Sequence, residues 1–415
     1  MFFIVRLIVL NLKIVDRLDN INWNFGTRLV IDDNEIFPFN NRKYHSYPAT
    51  FIPEIPFSLI EILSSEGDVV LDPFGGIGTT FVQALIQKRV PVSIDNNSVA
   101  SEITQDFFTL FNPRIDLLKA LEAIRDRLQA YDEKTDYSLR LYDMNSDLID
   151  WYEGITLNQI AFLMEEYDYY CNTDTEYGTR EIFHLCFSNL LTYASSQNGG
   201  WAYIADNVKP KKCELIAKPA IERFLINATA CVNNIQSYKE KLGDSILYLY
   251  NDSFIKHVMC DDFSKMDFSN MHGKVDLVIT SPPYPRMIDY VKSQRLTFYM
   301  IGKDFKSELA TEIGARARRN QKNTIESYIK SMKKCNEQIL NSLKQGGYLC
   351  YILPDFSLER KKDRKMAIDE VLNDCIDRGM EVVYETGRYI PGTQRSNNIK
   401  WASLKREQIV ILEKK

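Results

Sequence analysis

The chain has 415 residues, 45% of them hydrophobic and 26% charged, with a mean hydropathy of −0.27. Those proportions exclude the disordered and fibrous classes and leave room for one large domain with an insertion, or for two domains. The net charge of −5 is unevenly spread: residues 281–415 carry 26 Lys+Arg against 17 Asp+Glu, and residues 1–280 carry 25 against 39, so a polyanionic partner is expected to meet the C-terminal third.

Met1–Leu12 is apolar, but Arg6 interrupts it, Lys13 follows, and no small-residue cleavage site comes after. It is shorter than the ~20 residues of a membrane span, so it reads as a buried strand or packed extension, and no membrane partner is expected. Apolar residues at helical spacing predict a helix over Phe57–Ser64, and Val69–Leu71 reads as a short buried strand. Gly75–Thr80 is a glycine-rich turn, Phe81–Gln87 the helix after it, and Pro91–Ile94 the next strand, ending at Asp95. Strand, loop, helix, strand is the opening of a parallel α/β sheet.

From about Ser101 to Lys241 the period turns helical, with helices expected over Ile115–Tyr131, Leu157–Tyr167, Thr179–Tyr193 and Ala220–Lys241. Strand signals resume near Ile246–Tyr250, then at His257–Cys260 and Val275–Thr280. A helix over Ile325–Leu343 leads through Gly346-Gly347 to a strand at Tyr348–Leu353. Met380–Glu385 and Gln408–Glu413 read as a late strand pair. The fold class expected is therefore α/β: a Rossmann-like sheet of about seven mostly parallel strands with a helical insertion. The parts are residues 1–104, the insertion 105–245, and the remainder 246–415. None of the eight cysteines forms a Cys-x-x-Cys pair and the four histidines do not cluster with them, so neither a metal site nor a disulfide framework is expected; reduced, cytoplasmic thiols fit best.

Two loops carry chemistry. In the first, VVLDPFGGIGTT, a strand delivers Asp72 at its C-terminal edge, and Gly75, Gly76 and Gly78 allow a tight turn and a close backbone approach to a ligand. The following helix presents free N–H groups and a positive dipole end. Asp95, 17 residues after Gly78, stands where doubly wound folds place an acid on ribose hydroxyls, so the expected ligand has a ribose and an anionic group. The loop lacks the Gly-Lys-Ser/Thr of a Walker loop and the Gly-x-Gly-x-x-Gly of a dinucleotide site. In the second, VDLVITSPPY, an apolar strand runs into Ser281-Pro282-Pro283-Tyr284. Consecutive prolines end the strand, stiffen the loop and leave carbonyls free to accept. A serine hydroxyl and a proline carbonyl beside an aromatic ring make a grip for a flat base with an NH₂ group. Acceptors for both amino hydrogens favour a pyramidal nitrogen with its lone pair available for in-line attack, while Tyr284 stacks on a flipped base.

Together the two loops resemble those of the DNA amino-methyltransferases, the N4-cytosine and N6-adenine enzymes. The resemblance covers residues 44–104 and 255–355. It implies that S-adenosylmethionine is the cofactor, bound by Asp72–Thr80, with Phe74 on the adenine and Thr79 and Thr80 completing the loop. It implies that Ser281–Tyr284 is catalytic and that Asp95 holds the ribose. Asp262 is implied as acceptor of the adenine amino group, with Asp261 its rival, and Tyr44–Leu63 as cover for the methionine end. Many members with this style of cofactor loop carry the two loops in the reverse order, a difference of topology. Phe187–Pro210 resembles part of an insert found in some members. Serine at the first catalytic position resembles the N4-cytosine subgroup, so cytosine N4 is favoured over adenine N6. No cysteine follows a proline, against C5-cytosine chemistry.

The implied partners are double-stranded DNA and a cognate restriction enzyme or defence-system subunit. The stretch Pro285–Arg295, with Arg286, Tyr290, Lys292 and Arg295, is polar, basic and aromatic and suits the rim of a flipped-base pocket; candidate phosphate contacts are Arg316, Arg318, Arg319 and Lys322 and Arg360, Lys361, Lys362, Arg364 and Lys365, and the loop Gly387–Asn398 with Arg388, Arg395, Asn397 and Asn398 is a candidate reader of base edges. Two other readings fit parts of the pattern. A tRNA guanine-N2 methyltransferase shares the loop order, but the roughly 40 residues ahead of the first motif are short for an RNA-binding domain. A non-catalytic DNA-binding protein could retain the fold, yet both loops are chemically intact.

Overall fold

A computed structural model describes residues 12–25, 29–139, 141, 146–173, 178–196, 209–251, 255–315, 323–356, 362–390 and 406–415. A small antiparallel pair, β1 (Leu29–Ile31) and β2 (Asn34–Ile36), precedes the main sheet. That sheet is built from β3 (Val69–Asp72), β4 (Val90–Asp95), β5 (Val258–Cys260), β6 (Val275–Thr280), β7 (Leu343–Pro354), β8 (Met380–Tyr389) and β9 (Arg406–Lys414). Their spatial order is β5-β4-β3-β6-β7-β9-β8. The first five are parallel, and β9 runs antiparallel to both β7 and β8. The fold is thus α/β with a mostly parallel seven-stranded sheet.

The central strands read as unbroken apolar runs because both faces are covered. Alternation sorts their side chains: Val70, Leu277, Ile279, Cys350 and Ile352 pack on one face with the helix Glu54–Leu63. Leu71, Val278, Leu349, Tyr351 and Leu353 pack on the other with the helices Thr324–Ser342 and Lys362–Asp377. Between β4 and β5 the chain forms the helices Ser98–Leu110, Leu117–Leu128, Gly154–Asn172, Thr179–Ala194 and Ala220–Leu242. Phe183, Phe187 and Phe224 form an aromatic centre for this layer, with the Phe183 and Phe224 centroids 4.5 Å apart. Phe107 and Leu110 of the first helix belong to the same core. A buried charge pair ties the layers: His184 Nδ1 lies 2.6 Å from Asp106 Oδ2.

One strand expectation fails. Ile246–Tyr250 lies in a 3-10 helix, Gly243–Tyr250, continuing from the end of Ala220–Leu242. Only Ile246 and Leu249 are buried; apolar residues three apart share one side of a 3-10 turn, and the short apolar run does not distinguish that from a strand. Residues 1–11, including most of Met1–Leu12, lie outside the described residues. Among the described residues no helix is long and apolar enough to cross a membrane.

Candidate functional site

Strand order places the site. The chain runs outward from β3 through β4 to β5, then returns to lay β6 on the other flank of β3. The β3–β6 boundary is the switch point of the sheet, where loops leaving the C-terminal edges diverge and open a crevice. Register pairs Val70 with Leu277 and Leu71 with Val278, so the glycine loop after β3 and the Ser-Pro-Pro loop after β6 emerge side by side. A cleft lies there, lined in part by Phe74, Gly75, Gly76, Thr79, Asp95, Asp261, Asp262, Ser281 and Pro283.

Asp72, Gly78, Thr80, Pro282 and Tyr284 do not line it. Asp72 is 2% exposed and accepts from Thr280 Oγ1 at 2.6 Å, Thr80 Oγ1 at 2.7 Å and Phe74 N at 3.1 Å. It joins the ends of β3 and β6 to the loop, which holds the two motifs in register. Burial pushes its carboxyl up to about 6, against the pull of the Thr280 and Thr80 hydroxyls. Gly75 has no room for a side chain: a Cβ would stand 1.9 Å from Ser93 Oγ on β4. Gly78, with φ +76°, caps the helix Thr79–Ile86 in the left-handed region.

Asp95 ends β4 and accepts from Gly76 N at 2.8 Å and Asn97 N at 2.8 Å, one bond on each carboxylate oxygen. Each oxygen retains a lone pair for a ligand hydroxyl. Burial pushes this carboxyl up to about 6, opposed by the Asn97 and Gly76 N–H groups. On the loop after β5, Asp262 Oδ1 accepts from Ser264 N and Oγ, and Oδ2 pairs with Lys265 Nζ at 2.6 Å. Burial would raise its carboxyl, but the Lys265 and Ser264 bonds outweigh that and hold it below the ordinary carboxylate value. Asp261 Oδ1 accepts from Asp262 N at 2.7 Å.

Tyr47, Tyr290, Phe263 and Glu312 also line the cleft, and the sequence reading named none of them as a site residue. Tyr47 and Tyr290 stack with centroids 5.8 Å apart, and Tyr47 lies against Gly76. Glu312 accepts from Tyr290 N at 2.7 Å. Tyr47 sits within Tyr44–Leu63 and Tyr290 within Pro285–Arg295, segments singled out as wholes rather than by these residues; Tyr290 opens the short helix Tyr290–Ser293, Phe263 directly follows Asp261-Asp262, and Glu312 had no pattern to mark it. His45, also in Tyr44–Leu63, is buried between Ser188 Oγ at 3.0 Å and Gln294 Oε1 at 2.7 Å. It joins the segment Tyr44–Leu63, the helical layer and the stretch after the Ser-Pro-Pro-Tyr loop. Burial lowers its pKa to about 4, with Gln294 pulling the other way, so the ring is neutral at neutral pH.

Tyr284 is 3% exposed. Its hydroxyl accepts from Ser281 Oγ at 3.1 Å and donates to Glu407 Oε1 at 3.4 Å. The basic rim is largely paired: Arg286 with Asp363 at 2.8 Å, Lys292 with Asp289 at 3.9 Å and Arg388 with Glu407 at 3.2 Å, while Arg295 lies over the Phe305 ring. Arg316, Arg318, Arg319, Lys322, Arg360, Lys361, Arg395, Asn397 and Asn398 lie outside the described residues, as does 197–208 of the segment Phe187–Pro210.

Residues 19–106, which contain the whole glycine loop and Asp95, match the family model described as DNA methylase. The Type II methyltransferase M.BsoBI of Geobacillus stearothermophilus is 25% identical over 311 residues, covering 67% of this chain and 58% of that protein. The Type II methyltransferase M.MvaI of Kocuria varians is 23% identical over 287 residues, covering 62% and 58%. The Type II methyltransferase M.MjaI of Methanocaldococcus jannaschii is 35% identical over 86 residues, covering 21% and 25%. The chain thus spans 58% of the length of the first two relatives. The two loops thus meet at the switch point of a mostly parallel sheet, in a chain whose residues 19–106 match the DNA methylase model and which is similar to Type II methyltransferases.

Proposed function

We propose that the protein is an S-adenosylmethionine-dependent DNA methyltransferase acting on an exocyclic amino group, cytosine N4 in preference to adenine N6. The observation that carries the reading is that Ser281 and Pro283 share one cleft with Asp95 and the glycine loop. The lining also fits the cofactor by charge. Its ionisable carboxylates are Asp95, Asp261, Asp262 and Glu312, and no Lys or Arg is among the described lining residues. Such a lining suits a ligand carrying a sulfonium and an ammonium, and opposes a polyphosphate.

S-adenosylmethionine supplies an electrophilic methyl group on a cationic sulfur. The chain supplies binding and orientation. Asp95 accepts the ribose hydroxyls, and Phe74 and Phe263 offer apolar faces to the adenine. Of the two neighbouring acids, Asp262 is committed to Ser264 and Lys265, so Asp261 is the freer acceptor for the adenine amino group. Tyr47 and Glu312 cover the methionine end. Ser281 Oγ would accept from the substrate amino group and direct its lone pair at the methyl carbon; the Pro282 carbonyl, which like Tyr284 lies off the cleft wall, would serve as second acceptor once the loop exposes it. Stacking of the base on Tyr284 requires the ring to be uncovered first, because it is buried. Double-stranded DNA is the substrate, and a cognate restriction enzyme is the natural companion of such an activity.

The test is transfer of a labelled methyl group from S-adenosylmethionine to unmethylated genomic DNA, followed by nucleoside mass spectrometry. N4-methylcytosine is expected. N6-methyladenine keeps the enzyme class and overturns the base preference. Label in tRNA alone overturns the DNA reading in favour of guanine-N2 chemistry, and failure to bind the cofactor favours a non-catalytic DNA-binding protein.

A further inference from the structure

We propose that Glu407 is a positioning residue for the transfer step: acting through Tyr284, it fixes Ser281 as a pure hydrogen-bond acceptor towards the substrate's amino group. The inference rests on the methyltransferase reading of Ser281.

Glu407 lies at the start of β9, opposite Pro354 at the C-terminal edge of β7 and opposite Arg388 on β8. It is 8% exposed, and Arg388 is 2% exposed. A carboxylate so buried stays charged only beside a compensating cation. Arg388 Nε stands 3.2 Å from Glu407 Oε2, and Arg42, from the turn Asn41–Lys43, adds a second positive charge. Burial raises the Glu407 carboxyl above its ordinary value, although Arg388, the Tyr284 hydroxyl and Arg42 all oppose that.

An ionised carboxylate can only accept. The Tyr284 hydroxyl facing Glu407 Oε1 must therefore donate to it, at 3.4 Å, the long end of hydrogen-bond reach. That leaves the Tyr284 oxygen with lone pairs alone, and the Ser281 hydroxyl 3.1 Å away donates its one proton there. Ser281, at the cleft edge, is left with only lone pairs to offer the substrate.

This polarity matters to the chemistry. A serine hydroxyl free to rotate can also point its proton at the amino nitrogen, occupying the lone pair that must attack. With the proton committed to Tyr284, that orientation is removed, and Ser281 accepts an amino hydrogen in every productive encounter. The chain Ser281–Tyr284–Glu407–Arg388 gives a neutral serine the acceptor-only character that a carboxylate has by its own nature.

The test is steady-state methylation of DNA by the full chain, comparing Tyr284→Phe, Glu407→Gln and Ser281→Ala alone and in combination. Tyr284→Phe keeps the ring and the Glu407–Arg388 pair, so it reports on the relay even where Glu407→Gln unfolds the protein. Tyr284→Phe is expected to lower kcat about 10-fold, the scale of one hydrogen bond to or through a charged group, with the KM for S-adenosylmethionine unchanged. Glu407→Gln should do the same, the double variant should be no worse than the poorer single one, and Tyr284→Phe should cost nothing further in the Ser281→Ala background. A second readout is independent of turnover: with ¹³Cζ-labelled tyrosine, the Tyr284 signal, identified by its loss in Tyr284→Phe, should shift in Glu407→Gln. Wild-type kcat in Tyr284→Phe, an equal loss with and without Ser281, or an unmoved Tyr284 signal each overturns the proposal while leaving the methyltransferase reading intact. Absence of methyl transfer by the wild-type protein overturns both.

Discussion

At the scale of single residues, the acids of the cleft differ in their electrostatic state although they lie within one crevice. Asp95 is raised to about 6 by burial, whereas Asp262 is held down by Lys265 and Ser264 in spite of its burial. A ligand whose hydroxyls donate to Asp95, and whose charge is positive, binds the ionised form better. Binding therefore releases a proton below about pH 6 and not above it. Affinity for S-adenosylmethionine is expected to be level above pH 7 and to weaken below about pH 6, towards a limit of about tenfold per pH unit. Calorimetric titrations from pH 5 to pH 8 measure this. Asp95→Asn should weaken binding and flatten the profile; an unchanged profile in that variant would move the titration to another group, with Asp72, also near 6, the first alternative.

At the scale of elements, the helix Thr179–Ala194 is docked on Ser98–Leu110 by apolar packing and by one buried charge pair. His184 and Asp106 are each 1% exposed. Burial lowers the histidine's pKa, but Asp106 more than compensates and raises it; burial raises Asp106 to about 6 against the pull of His184. Removing one member leaves the other charge uncompensated in the core, which costs about 3–5 kcal/mol. His184→Ala should lower stability by that order, read as a fall in the denaturation midpoint. Asp106→Asn/His184→Ala together should cost less than the sum of the two single changes, because the penalty is shared. A loss below 1 kcal/mol for His184→Ala would show that the helical layer is held by its aromatic centre alone.

At the scale of the whole molecule, charge and topology are separate designs. Topology gathers the carboxylates into the cleft, and the excess of Lys and Arg lies in residues 281–415. Several of the cations proposed for the DNA rim, Arg286, Lys292 and Arg388, already have acidic partners. Under the proposed reading, DNA competes with those partners or uses other cations of the same region. Each neutralised phosphate adds about −0.9 to the slope of log affinity against log salt, so four contacts imply roughly a 100-fold loss between 50 and 200 mM salt. Fluorescence anisotropy with duplex DNA should show this steep dependence, while cofactor affinity, set inside the cleft, should change little. A flat response for DNA would contradict an electrostatic interface on the basic third.

Period and punctuation in the sequence determined the elements and both loops, because these are local properties. An apolar strand ending in Asp-Pro-Phe-Gly-Gly, and another ending in Ser-Pro-Pro-Tyr, carry their geometry within a few residues. The run Ile246–Tyr250 shows the limit of that method: its apolar spacing suits a strand and a 3-10 turn equally, and continuation from the preceding helix decided the matter. What only the tertiary structure decided is which distant groups meet. The strand order sets Asp72 beside Thr280, 208 positions away, and Tyr284 beside Glu407, 123 positions away. Those contacts remove Asp72 and Tyr284 from the cleft wall and turn them into supports for it, while Tyr47 and Tyr290, from segments singled out only as wholes, and Glu312, which no local pattern announced, take places on the wall. The physical reason is the same in each case: a side chain's chemistry is a property of its residue, but its partner, its burial and its charge state come from whatever the fold packs against it.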